Sequence, residues 1–294
     1  MMHSKWRLFP LLLAIFVLSG CDLDNLGSSD RYQADFRETH PISAGGRIFL
    51  ENFNGSIDIS GWDEKTVEIS GTKYASREEV LEALKIDVVP SGDSLRIRTI
   101  RPSGHGGNMG ARYTIRAPRG VTLDRIRSSN GSIRVREIEG PVRLETSNGS
   151  IEIDAAAGPA VLRTSNGRIR AGEVRRGLDA TTSNGSITAV LDDVEPGQPI
   201  RLRTSNGSVE LSLAQLPDNE VNVGTSNGSI TLRLPSAVSA RIRATTSNGR
   251  ITHEFGSQFQ GRAEKNILEG TIGAGGGPSI TLSTSNSSIR LLKR

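Results

Sequence analysis

The residues of this sequence that could carry out acid–base or metal chemistry do not form a recognisable set. Asp192, Asp193 and Glu195 make the one acidic cluster within the repeated part, and they precede a Pro-Gly pair, which is typical of a solvated turn. His253 and Glu254 are the best metal-ligand candidates, but they lack partners at ligand spacing, and the other histidines are scattered singly. The sequence therefore predicts no catalytic residue, no metal site and no cofactor.

Cys21 is the only cysteine, which excludes a disulfide framework and a multi-cysteine metal site. It follows Leu18-Ser19-Gly20, and this ending resembles a bacterial lipoprotein signal, in which the cysteine becomes the first mature residue and carries lipid. Before it, Lys5 and Arg7 precede an apolar run over residues 8–18, which is too short for a membrane-spanning helix of roughly 20 residues.

This pattern predicts a signal peptide over residues 1–20, lipidation at Cys21 and a polar tether over residues 21–30. The lipid would make the membrane a partner without a spanning segment. We therefore expect a lipoprotein of the bacterial cell envelope, on the periplasmic side of the inner or outer membrane or on the cell surface.

Charge argues against a nucleic-acid partner. The whole chain has a net charge of +4, and loss of Lys5 and Arg7 with the signal would lower it to +2. Aromatic residues make up 4% of the chain, so platforms on which bases could stack are scarce.

The dominant motif is Thr-Ser-Asn-Gly-Ser-Ile and its close variants, with an early copy at Asn54. A catalytic nucleophile is needed once, so a polar motif that recurs at this density predicts a structural ladder, in which stacked amides hydrogen-bond to one another. We expect the glycine to supply a positive φ and the asparagine to tolerate the left-handed region. The ladder asparagines are Asn130, Asn148, Asn166, Asn184, Asn206, Asn227, Asn248 and Asn286.

Alternating apolar residues on both sides of each asparagine predict a strand, a corner and a second strand. The Asn-Gly corner fits either a tight hairpin or one rung of a parallel β-solenoid. A hairpin would set like charges opposite each other, whereas stacked rungs would alternate them, and alternation is the stable arrangement. The solenoid rows would be Arg127–Glu145–Arg163 and Arg134–Glu152–Arg170, against the hairpin pairs Arg127–Arg134, Glu145–Glu152 and Arg163–Arg170.

The predicted fold is therefore all-β, a parallel β-solenoid (β-helix) with about 18–22 residues per rung. Residues 126–292 form the repeated solenoid, and 279–292 would supply its last rung. Residues 31–125 form an irregular β-rich cap that begins the solenoid and contains one short helix, started by a capping box of Ser76 and Glu79.

The repeats, the segment from Asn54 to Asp63 (Asn-Gly-Ser-Ile-Asp-Ile-Ser-Gly-Trp-Asp) and the lipoprotein-type signal together resemble an adhesin-like family of bacterial envelope proteins. The resemblance covers roughly residues 35–292. It implies a β-solenoid domain of unknown function, and no catalytic or ligand-binding residues come with it.

The favoured function is a non-enzymatic, lipid-anchored structural or binding surface in the envelope, with an envelope polysaccharide or protein as partner. One alternative is a carbohydrate-active β-helix enzyme, a polysaccharide lyase or hydrolase, which would need converging acids in a single groove. Another is an accessory lipoprotein of envelope-stress sensing. Outward arginines indicate cross-rung ion pairing first, and contact with anionic headgroups or polysaccharide second.

Overall fold

The computed structural model describes residues 30–294, and the predicted signal peptide, Cys21 and most of the tether lie outside them. The regular elements of this part of the chain are strands, apart from one α-helix and a short 3₁₀ helix at Gly256–Gln258. The N-terminal elements are β1 (Tyr32–Pro41), β2 (Arg47–Asn54), β3 (Ile57–Trp62), β4 (Thr66–Ala75), α1 (Glu78–Ala83), β5 (Lys85–Ser91), β6 (Ser94–Ile100), β7 (Met109–Pro118), β8 (Thr122–Asn130) and β9 (Ile133–Arg136).

The repeated part continues with β10 (Val142–Thr146), β11 (Ile151–Asp154), β12 (Ala160–Thr164), β13 (Ile169–Gly172), β14 (Leu178–Thr181), β15 (Ile187–Leu191), β16 (Ile200–Arg203), β17 (Val209–Leu213), β18 (Val221–Gly224) and β19 (Ile230–Leu234). The C-terminal strands are β20 (Ala240–Thr246), β21 (Ile251–His253), β22 (Phe259–Ala263), β23 (Ile267–Ile272), β24 (Ser279–Thr284) and β25 (Ile289–Lys293).

Two sheets face each other, and each rung contributes one strand to each. We name sheet 1 the 12-stranded sheet that runs from β1 through β9 and β19 to β21, and sheet 2 the 13-stranded sheet that runs from β22 through β16 and β8 to β5. Along the repeats the pairing is parallel and in register, so Leu144 lies beside Leu162 and Glu145 beside both Arg127 and Arg163. The β-solenoid prediction is confirmed, and antiparallel pairing across Asn148-Gly149 is absent from the described residues.

The core is a narrow layer between the sheets, because strands of four or five residues each turn only two or three side chains inward. These residues are β-branched or aliphatic and almost fully buried. Each row repeats the same residue type from rung to rung, as in the sheet 1 row Ile133, Ile151, Ile169, Ile187, Val209, Ile230, Ile289 and Ile251.

The rungs at both ends are out of chain order. The rung made by β24 and β25 is inserted between the rung of β18 and β19 and that of β20 and β21. The expectation that residues 279–292 form the last rung is therefore wrong in space, although they are last in sequence. At the N-terminal end, the rung of β2 and β3 lies between that of β6 and β7 and that of β8 and β9.

Antiparallel strands cover parts of the two ends. Strands β1 and β4 extend sheet 1 beyond β7, and β5 extends sheet 2 beyond β6. At the other end β23 and β22 extend sheet 2 beyond β20. Phe255 is 1% exposed in the core, and Phe259 packs against the same core.

The short helix is present, but its predicted start is wrong. Arg77 occupies the N-cap position of α1 and makes no side-chain capping bond. The reason is that the Ser76 backbone N–H donates to the Asn108 carbonyl, which keeps Ser76 with the end of β4. Val80, Leu81 and Leu84 are buried, as their spacing predicts.

Candidate functional site

The predicted ladder residues lie at one corner of the solenoid, between a strand of sheet 2 and a strand of sheet 1. Each side-chain amide donates from Nδ2 to the Oδ1 of the asparagine on the neighbouring rung, at 2.7–2.8 Å. The order in space, from donor end to acceptor end, is Asn248, Asn286, Asn227, Asn206, Asn184, Asn166, Asn148, Asn130 and Asn54. The ladder ends where Asn54 donates to the Met109 carbonyl at 2.9 Å.

A second ladder lies just inside the first. In six of the motifs the buried threonine donates from Oγ1 to the backbone carbonyl of the corner glycine one rung away, and each of these bonds is 2.9 Å long. The pairs are Thr146–Gly131, Thr164–Gly149, Thr182–Gly167, Thr204–Gly185, Thr225–Gly207 and Thr284–Gly228. Thr246 donates in the same way to the Ser287 carbonyl at 2.8 Å. These hydroxyl groups therefore hydrogen-bond each rung to its neighbour.

The corner glycines are required for a reason that the motif did not show. From Gly131 to Gly249 their φ values are not positive, nor are those of the ladder asparagines, so the expectation of a left-handed corner is wrong for the repeats; it is met at the early copy, where Gly55 has a φ of 110°. A Cβ on Gly167 would lie 1.8 Å from the Gly149 carbonyl oxygen, and one on Gly185 would lie 1.9 Å from that of Gly167. Glycine is needed because successive backbones approach closely, and only the corner at Ser287 carries a side chain at this position.

Non-glycine residues with a positive φ lie at the opposite corner, where the chain returns from sheet 1 to sheet 2. Glu137, Ala155 and Glu173 have φ values of 58°, 51° and 48° and stand 18 residues apart on three successive rungs. A non-glycine residue in this region costs about 1–2 kcal/mol. They border a shallow cavity of about 200 Å³ whose rim includes Arg119 and Arg175. The residue types at this corner, two glutamates and an alanine, did not predict a positive φ.

Charged residues on the outer faces follow the alternating rows. In sheet 1, Glu152 lies beside Arg134 and Arg170, and Arg134 Nη2 is 3.1 Å from Glu152 Oε2. This hydrogen bond raises the pKa of Arg134. In sheet 2, Glu145 has its shortest contact with Arg143 on its own strand, at 2.9 Å. Such exposed pairs add little stability, so the rows mainly avoid repulsion between rungs.

The acidic cluster does not converge. Asp192 pairs with Arg294 at 2.6 Å, Asp193 with Arg175 at 3.6 Å, and Glu195 with Arg176 at 3.0 Å. Each carboxylate thus faces its own arginine, and the three side chains are 45–65% exposed.

His253 and Glu254 also serve different contacts. The His253 ring packs against Phe259 with centroids 5.0 Å apart, whereas the Glu254 carboxylate accepts a bond from the Lys293 backbone N–H at 2.8 Å. Across residues 30–294, no three His, Cys, Asp or Glu side chains gather as metal ligands. In the same span no helix has the length and apolar character needed to cross a bilayer.

Tyr113 is the largest fully buried polar side chain of the core. Its hydroxyl lies 2.6 Å from Thr99 Oγ1, and burial raises the pKa of its phenol far above the ordinary value. Because the ring lies inside the N-terminal rung and its hydroxyl is paired with Thr99, it stabilises the core rather than facing a ligand.

Together these features define a two-sheet parallel β-solenoid held by polar ladders at one corner. A profile of the Toastrack family, DUF4097, matches residues 50–291. The chain belongs to this family, and the resemblance that the motifs indicated is confirmed.

The solved structures similar to this chain share little sequence identity with it. No curated protein matches the chain. Among solved structures, a candidate adhesin from Bacteroides fragilis is 11% identical, with 88% of this chain and 97% of that chain covered and a TM-score of 0.39. A candidate cell adhesion protein from Clostridium sporogenes is 15% identical, with 89% and 100% covered and a TM-score of 0.31. A candidate adhesin from Parabacteroides distasonis is 9% identical, with 88% and 97% covered and a TM-score of 0.35.

Proposed function

We propose that this protein is a lipid-anchored, non-enzymatic component of the bacterial cell envelope that presents its solenoid faces as an adhesin-like binding surface. The observation that carries the proposal is the use of the repeated polar residues. The asparagine amides and threonine hydroxyls bond to the neighbouring rungs, so the motif serves rigidity. What remains available to a partner is the pair of outer faces.

The absence of a converging catalytic set within residues 30–294 supports the non-enzymatic part of the proposal. The carboxylates of the acidic cluster each face a separate arginine and do not converge on a common point, so the pair of facing carboxyl groups that glycoside cleavage needs is not assembled there. A rigid, flat-sided stack fits adhesion better than turnover.

Anchoring is tested by metabolic labelling with palmitate. Wild-type chain is expected to incorporate the label and to sediment with membranes, whereas Cys21→Ser loses the label and the chain leaves the membrane fraction. Membrane fractionation of Cys21→Ser that equals wild type refutes the anchor.

Binding without turnover is tested by incubating the purified chain with a panel of envelope glycans and envelope proteins. We expect retention of at least one of them on the immobilised chain, with no change in glycan length. Shortening of any glycan at a rate proportional to chain concentration refutes the non-enzymatic assignment.

A further inference from the structure

A hollow of about 490 Å³ opens on the outer face of sheet 2 at its N-terminal end. Strands β2, β5 and β6 form its floor, and its lining includes Arg47, Arg96, Arg98 and the ring of Phe49. Arg47 and Arg96 are exposed, and the Phe49 ring is half-buried. This cluster lies outside the polar corners and outside the repeated motif.

Charge is unevenly placed around the hollow. The row Asp87–Arg98–Glu51–Arg127 alternates in sign, and Arg98 is paired with Asp87 at 2.9 Å. In the parallel row, Phe49 lies between Arg96 on one side and Arg125 on the other, so neither of its direct partners is an acid.

Arg47 and Arg96 are therefore left without a carboxylate. Within the described residues, neither makes an ion pair at 4.0 Å or less, although Asp93 stands in the turn beside Arg47. Elsewhere in sheet 2 many arginines are neutralised, as Arg163 is by Asp179 at 3.7 Å. The hollow thus holds uncompensated positive charge.

The ring and the guanidinium groups together suit one kind of ligand. The Arg96 guanidinium lies 5.6 Å from the Phe49 ring centroid, which holds it beside an apolar surface. Arginine forms paired hydrogen bonds with carboxylate, and an aromatic ring packs on the apolar face of a sugar. Ser91 and Ser94 add hydroxyl groups at the same rim.

The shape favours a linear polymer over a bilayer. A planar membrane contacts side chains that project, whereas Arg47, Arg96 and Phe49 line a hollow. Further along sheet 2 the outward arginines Arg143, Arg201 and Arg243 are each paired with a glutamate, so they add little uncompensated charge to the face. A recess such as the hollow suits one acidic unit of an extended chain.

We propose that the hollow around Phe49 binds an acidic sugar unit of an extended polysaccharide, with Arg47 and Arg96 holding its carboxylate and the Phe49 ring packed against the sugar. The inference rests on the proposed function, since it names the partner class and the surface of that binding activity.

The test uses full-length chain immobilised on a sensor and titrated with oligogalacturonate of defined length, beside a neutral galactan of the same length. We expect only the acidic oligomer to bind, and its binding to weaken as salt rises. Arg47→Ala/Arg96→Ala should weaken binding about 100-fold, since each charge-assisted contact contributes about tenfold. Phe49→Leu should weaken it about tenfold.

The matched control is Arg203→Ala/Arg241→Ala. These two arginines lie on the same face, are exposed, and form no ion pair within the described residues, and β16 is five strands or about 24 Å from β2. Binding in this variant should stay within about twofold of wild type, and both double variants should keep the wild-type unfolding midpoint.

An equal loss of oligogalacturonate affinity in the two double variants shows that the whole outer face of sheet 2 attracts the anion, and it overturns the hollow as the binding site. Binding of the neutral galactan, no binding of oligogalacturonate, or Arg47- and Arg96-dependent binding of phosphatidylglycerol nanodiscs each overturns the ligand. Retention of a different glycan or of a protein, unaffected by these variants, overturns the inference while the proposed function stands. Shortening of the oligomer refutes the proposed function. In that case the loss of binding in Arg47→Ala/Arg96→Ala still decides whether the hollow is the binding site.

Discussion

Replacing Gly167 with alanine tests whether close approach of the rungs is what the corner motif encodes. The new Cβ would lie 1.8 Å from the carbonyl oxygen of Gly149 and 2.5 Å from the carbonyl carbon of the same residue. Real Cβ atoms do not come within 3.0 Å of such atoms, so the two corners must separate by more than 1 Å. Separation breaks or stretches the 2.9 Å bond from Thr164 to Gly149 and the bond from the Asn166 N–H to the Ser147 carbonyl.

The magnitude follows from these parts. Overpacking costs about 1–3 kcal/mol, and each weakened hydrogen bond adds about 0.5–1.5 kcal/mol. We expect Gly167→Ala to lower the free energy of unfolding by about 2–6 kcal/mol, a large share of the roughly 5–15 kcal/mol of an ordinary domain. The measurement is urea unfolding followed by far-ultraviolet circular dichroism, with hydrogen exchange at the neighbouring corner amides.

Two control substitutions separate close approach from backbone strain. Gly120 has no atom within 4 Å of a Cβ and no positive φ, so Gly120→Ala should change stability by less than about 1 kcal/mol. Gly92 has equally open space but a φ of 55°, so Gly92→Ala should cost about 1–2 kcal/mol through strain alone. If Gly167→Ala proves no more destabilising than Gly120→Ala, the rung-contact reasoning is wrong.

Two further measurements follow from the ladder and from the buried phenol. Asn166→Ala removes two amide–amide bonds and should cost about 1–3 kcal/mol, whereas Asn248→Ala at the ladder end removes one and should cost about half as much; equal urea midpoints for the two variants would contradict the ladder. Because burial raises the pKa of Tyr113 in the fold, the stability that it contributes is complete below its unfolded pKa near 10 and is lost as pH rises above it. Tyr113→Phe should therefore be less stable than wild type at pH 8, where Thr99 loses its partner, but should lose less stability between pH 8 and pH 11; parallel pH curves for the two proteins would refute this.

Much of the solenoid was predictable because its signals are local and repeated. The alternation of Arg127, Glu145 and Arg163 distinguishes stacked rungs from hairpins, and the parallel register places these residues side by side. The role of the corner glycines was not predictable from the motif alone. Asn-Gly is equally typical of left-handed turns, and the distance between rungs that decides the matter is a property of the assembled stack.

The order of the terminal rungs was also beyond the sequence. Leu282 of β24 meets Val223 on one side and Ala244 on the other, and either neighbour could serve at the end of a regular stack. Every rung turns the same kinds of residue inward. The alternation of apolar residues therefore does not distinguish an inserted rung from a terminal one. The hollow around Phe49 was missed for a similar reason, because it depends on which strands become neighbours across 40 or more residues.

The inserted C-terminal rung makes the solenoid mechanically asymmetric. Tension applied at the start of β1 acts on a strand that pairs, within the described residues, with β4 alone and can be peeled away bond by bond. Tension on the C-terminus acts on β25, which lies between β19 and β21 and must be sheared from both at once. Shearing loads all the bonds of a strand together, so the end of the chain that is last in sequence is the harder one from which to unravel the stack.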